Sequence, residues 1–66
     1  MQVHVNGEPR EIASGATVTA LLEAMKIDTA QVAVEVNTTV VRRARHSEVT
    51  LQPGDQIEIV TFVGGG

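Results

Sequence analysis

The chain of 66 residues is 42% hydrophobic and 20% charged. That suits one small folded domain, which buries only about 60% of the surface its unfolded chain exposes and has no depth for a lined catalytic pocket. A net charge of −3 argues against nucleic-acid binding, and the absence of cysteine excludes disulfides, thiolate zinc sites and a cysteine nucleophile.

Gln2–Asn6 alternates polar and apolar residues with the period of a half-buried strand, which directs Val3 and Val5 inward. Asn6-Gly7 is a turn signal, because both residues tolerate positive φ. A second strand is expected over Pro9–Ile12, with Pro9 at its start or on an edge. After the short connection Ser14–Ala16, Thr17 offers its hydroxyl as an N-cap. Val18, Leu21, Leu22 and Met25 then fall on one helical face, a stripe that reads as core packing. Ala20, Glu23 and Ala24 suit the helix, and Lys26 complements the negative pole at its end.

Ile27–Gln31 is expected to be a loop, and Val32–Val36 a strand that turns Val34 and Val36 to the core. Asn37–Thr39 marks a turn, and Val40 and Val41 begin a short strand interrupted by an Arg-rich segment. No period is legible over residues 44–48. Pro53-Gly54-Asp55 is a turn, since proline presets φ and glycine accepts a positive one. The final strand Gln56–Val60 alternates clearly: Ile57 and Ile59 face the core, while Glu58, Val60 and Phe62 fall on the other side.

The order β-β-α-β-β-β predicts an α+β domain of β-grasp (ubiquitin-like) form, a mixed sheet of four to five strands packed on one helix. Its first and last strands would pair in parallel at the sheet centre. The domain is assigned to residues 1–63 and a flexible glycine tail to residues 64–66. One helix covers one face of a sheet, so the other face is left to solvent or to partners. His4 and His46 are far apart, with no carboxylate at ligand spacing, and are read as structural or surface residues. Arg42, Arg43 and Arg45, three of the five basic residues, are read as a solvated loop or edge strand; the alternative is a contact to an anion or an acidic partner.

The chemistry lies in Gly64-Gly65-Gly66. Glycine costs more backbone entropy to order than any other residue, so this tail is expected to be mobile. It is also thin enough to thread a narrow channel in another protein. Alone, three terminal glycines are more often a disordered end or a linker remnant; joined directly to the last strand of a β-grasp pattern, they present the Gly66 carboxylate. A carboxylate is a poor electrophile and must be activated, for instance as an acyl-adenylate made from ATP. Sulfur donated to the adenylate leaves a thiocarboxylate, which can pass sulfur onward. The carrier itself needs no acid or base for this. Phe62 and Val63 beside the tail, with Val60 on the same strand, are candidate docking residues for the activating enzyme.

Val3-His4-Val5-Asn6-Gly7, Gly15-Ala16-Thr17-Val18 leading into Leu21-Leu22, Val32–Asn37 and above all Gly54–Val60 with Phe62–Gly66 resemble the ThiS family of sulfur carriers for thiamine biosynthesis. The resemblance spans essentially the whole chain. It departs at Val41-Arg42-Arg43-Ala44-Arg45-His46-Ser47-Glu48, where the family often carries a proline-arginine pair and a tryptophan. It implies a non-enzymatic carrier, monomeric when free, that binds no cofactor, no nucleic acid and no membrane. Gly66 would be adenylated by an E1-like enzyme of the ThiF type that binds the ATP. It would then be thiocarboxylated with sulfur from a cysteine desulfurase, and the sulfur passed to a thiazole synthase of the ThiG type. Gly65 and Gly64 would thread the partner channels, preceded by Val63 and Phe62. A carrier of the same fold serving molybdopterin or cysteine synthesis, a ubiquitin-like protein modifier and a plain interaction module remain as alternatives. No apolar run reaches membrane-spanning length, and strand-like sequence at the N-terminus leaves no room for a signal peptide, so a cytoplasmic location is expected.

Overall fold

A computed structural model describes residues 1–62. It contains β1 (Gln2–Val5), β2 (Glu8–Glu11), α1 (Val18–Ala24), β3 (Val32–Val36), β4 (Thr39–Val41) and β5 (Gln56–Thr61), with two 3₁₀ turns at Thr29–Gln31 and Arg43–Arg45. The strands form one five-stranded sheet in the order β2-β1-β5-β3-β4. β5 is central: it runs parallel to β1, with His4 beside Gln56 and Val5 beside Ile57, and antiparallel to β3. This is the β-grasp arrangement expected from the element order.

The inward positions of the sheet meet one face of α1. Val3, Val34, Ile57, Val18, Leu21 and Leu22 are all buried there, and Leu51 closes the core from the loop before β5. Thr17 caps the helix, its Oγ1 accepting the Ala20 N–H at 3.1 Å. The helix stops at Ala24, earlier than the apolar stripe suggests, and Met25 is its C-cap. Lys26 lies beyond the last turn in the left-handed region at φ 59°. Its N–H donates to the Glu23 carbonyl and that of Ile27 to the Leu22 carbonyl, the pair of bonds that ordinarily places glycine at this position. Lys26 therefore terminates the helix, and α1 has no basic residue in its last turn.

Two further boundaries and one burial pattern differ from the sequence expectation for local reasons. Asn6 and Gly7, both left-handed at φ 51° and 85°, make a two-residue hairpin loop. That loop sets Glu8 opposite Val5, so β2 begins at Glu8 and ends at Glu11. Asp28 Oδ1 accepts the Ala30 N–H at 2.9 Å and winds part of the supposed loop into the first 3₁₀ turn. In β3, Val32 joins Val34 in the core while Val36 is only half-buried.

Two asparagine side chains extend the pairing where backbone runs out. Asn6 Nδ2 donates to the Ile59 carbonyl and its Oδ1 accepts the Ile59 N–H, carrying the β1–β5 ladder past the end of β1. Asn37 Nδ2 donates to Asp55 Oδ1 and its Oδ1 accepts the Gln56 N–H, joining the β3–β4 hairpin to the turn before β5.

That hairpin also stores strain. Thr38 adopts φ 70°, where a β-branched residue is a genuine outlier. Thr38→Gly is expected to stabilise the domain by ~0.5 kcal/mol, the relief of left-handed strain less the added entropy of the unfolded chain. A thermal melt checks this: an unchanged or lower Tm would mean that the loop does not strain Thr38.

Candidate functional site

α1 covers one face of the sheet, and the other carries the residues singled out beside the tail. Val60 and Phe62 are 60% and 54% exposed, as the alternation of β5 requires. The Phe62 N–H donates to the Gln31 carbonyl at 2.8 Å, so the backbone is tied to the fold up to this residue. Val63, Gly64, Gly65 and Gly66, named with them from the sequence, lie outside the described residues.

Register extends this face beyond the residues read from sequence. Val60 stands opposite Ala33, and Glu58 opposite Glu35. Glu35 in turn stands opposite Val40 on β4, which is 65% exposed. Val40, Val60 and Phe62 thus share one side of the sheet. Isolated exposed apolar residues are ordinary, but three large ones on the face that α1 leaves uncovered make that face a candidate contact surface. Like charges placed directly opposite destabilise a sheet, so the Glu35–Glu58 pair is a cost that folding alone does not require. The signal for Glu35 was present in the sequence, because any residue between inward Val34 and Val36 must point out. Val40 needed the hairpin register.

His46 proves structural. It is 2% exposed; its Nε2 lies 3.1 Å from the Val41 carbonyl and its Nδ1 2.6 Å from Thr29 Oγ1. A carbonyl only accepts, so Nε2 is the donor in that bond, and Nδ1 shares a hydrogen bond with the threonine hydroxyl. The His46 carbonyl accepts the Thr19 N–H, so the residue ties α1, β4 and the first 3₁₀ turn together. The same turn supplies the Gln31 carbonyl that holds Phe62.

Among the described residues, no cluster of three or more His, Asp or Glu side chains is placed to hold a metal ion. No described helix is long and apolar enough to cross a membrane. The described face carries exposed apolar side chains and carboxylates.

Comparison with known proteins agrees in sequence and in shape. The sequence profile of the ThiS family matches residues 3–66. Over its full length the chain is 33% identical to the sulfur carrier protein ThiS of Escherichia coli, and each covers 100% of the other. It is 46% identical over all 66 residues to a thiazole synthase of Magnetococcus marinus, of which it spans only 20%. The crystal structure of the thiamine biosynthesis protein ThiS from Geobacter metallireducens superposes with a TM-score of 0.85 at 38% identity, with 100% of both chains covered.

Proposed function

Given that this chain belongs to the ThiS family, we propose that it is a sulfur carrier of thiamine biosynthesis whose working group is the Gly66 carboxylate. An E1-like adenylating partner of the ThiF type supplies the ATP site. A carboxylate oxygen attacks the α-phosphorus and pyrophosphate leaves; the terminal sulfur of a persulfide formed by a cysteine desulfurase then displaces AMP to give an acyl disulfide, which a thiol reductant cleaves to the thiocarboxylate and a disulfide. That sulfur passes to a thiazole synthase. The chain acts as cosubstrate, not enzyme, and carries no cofactor of its own.

The observation that bears most weight is β5. The central strand of the sheet ends at Thr61, immediately before the Phe62–Gly66 sequence, and Val60 and Phe62 are exposed beside it. The Magnetococcus marinus protein supports the synthase as partner, since about a fifth of that thiazole synthase is similar to this chain. A carrier for a different sulfur pathway would share the same chemistry; the family match favours thiamine.

The test is an intact mass after incubation with the adenylating enzyme, ATP and a sulfur donor. Exchange of one oxygen for one sulfur is expected, and an unchanged mass with a demonstrably active partner rejects the carrier reading. The patch is tested separately. Phe62→Ala is expected to weaken association with the adenylating enzyme about tenfold or more, as loss of an aromatic anchor does, while the melting curve of the free chain moves little. A large fall in Tm with affinity retained would make Phe62 a packing residue.

A further inference from the structure

The Arg-rich segment is left unused by this function, yet the fold puts it in a particular place. β4 and β5 are both antiparallel to β3, so they run in the same direction. Arg42–Arg45 follow β4 at the same end of the sheet where Phe62 follows β5. The two are also tied to one support: His46 bonds Thr29, and Phe62 bonds Gln31, at the two ends of a single 3₁₀ turn.

Arg42, Arg43 and Arg45 are all exposed. Arg45 pairs with Glu48 at 2.9 Å. Among the described residues, Arg42 and Arg43 have no carboxylate within ion-pair distance. Beside them runs a groove of about 410 Å³ with Val36, Val40, Val41 and Val49 in its wall and Arg42 and Arg45 at its rim. Buried His46, bonded on both ring nitrogens, holds the segment in place. Unpaired guanidinium groups on an otherwise acidic chain attract a surface of opposite charge and steer encounter with it.

We propose that Arg42, Arg43 and the adjoining apolar groove, which meets the Val60–Phe62 face at Val40, form a second docking surface for an acidic surface on the adenylating enzyme. The surface orients the carrier on that enzyme at the same end of the sheet as Phe62. Apolar side chains of the partner enter the groove while its carboxylates meet the two guanidinium groups. The choice of partner rests on the sulfur-carrier reading given above.

The experiment measures association of the full chain with its adenylating enzyme across a salt series, for the wild type and for Arg42→Glu/Arg43→Glu. Both sites are exposed, so the variant is expected to fold, which a circular-dichroism melt verifies. The expected result is about a tenfold loss of affinity at low ionic strength, chiefly in the association rate. The gap should close near 1 M salt, where the screening length falls to about 3 Å. Affinity within twofold of wild type at every salt concentration, with wild-type adenylation intact, overturns the docking surface alone. No association and no adenylation of the wild type removes the carrier reading and this surface together. Binding of inorganic phosphate to the free chain, abolished by the same substitutions, would reassign the cluster to a small anion. Self-association abolished by them would reassign it to a second copy. Either result overturns the proposal.

Discussion

Deletion of Gly66 is expected to lower sulfur loading by at least about a hundredfold while leaving the melting curve of the domain where it is. The shortened chain still ends in a glycine carboxylate, so the loss would not come from missing chemistry. It would come from reach. One residue of extended chain spans about 3.5 Å, and misplacing a reacting group by even 1 Å costs on the order of a hundredfold. The acyl oxygen would stop short of the α-phosphorus, and no change elsewhere in the domain could restore it. Intact mass spectrometry after incubation with the adenylating enzyme, ATP and a sulfur donor gives the loading, and pyrophosphate release reports the first step by itself. Retained loading would place the reactive carboxylate elsewhere. Loss of folding would make the last glycine structural.

The second large effect concerns stability. His46→Ala is expected to destabilise the domain by about 3 kcal/mol. The substitution removes a buried ring and also leaves the Val41 carbonyl and the Thr29 hydroxyl without their partner. A domain this small holds on the order of 3–10 kcal/mol in total, so about a third or more of its margin would go, and Tm would fall by about 15 °C. Thr29→Val removes only the Nδ1 contact and is expected to cost about 1 kcal/mol. Thermal melts of both variants check the ordering. A His46→Ala domain that melts within a few degrees of wild type would show that water or a neighbour replaces the ring without cost.

These two residues also mark what the sequence does and does not disclose. The strands were legible because their pattern is local. Val3 and Val5, or Ile57 and Ile59, alternate with polar neighbours, and Asn6-Gly7 and Pro53-Gly54 sit where the backbone turns. Val60 and Phe62 followed from the same alternation. His46 did not, because its burial depends on a threonine 17 residues away and on the carbonyl of a strand edge, and neither leaves a periodic trace. The two 3₁₀ turns are too short to show a period. Lys26 at the left-handed helix end occupies a position where the expected residue is glycine, so the stop was invisible. The breadth of the outer face needed the pairing of β3 with both neighbours, since Glu35, Glu58 and Val40 meet only across strands.

The central position of β5 has a mechanical consequence. On the carrier reading proposed above, the end that enters a partner must also be withdrawn, and the load reaches the domain through β5, the last described strand. That strand is bonded to β1 on one side and β3 on the other, with the Asn6 amide adding a clamp at Ile59. Force along the strand loads these bonds together, in shear, so they must break at once instead of unzipping in turn. An edge strand such as β4, bonded on one side over three residues, would peel away under the same load. A load entering through a strand paired on both sides is therefore borne by the whole sheet, and the proposed withdrawal would leave the domain folded.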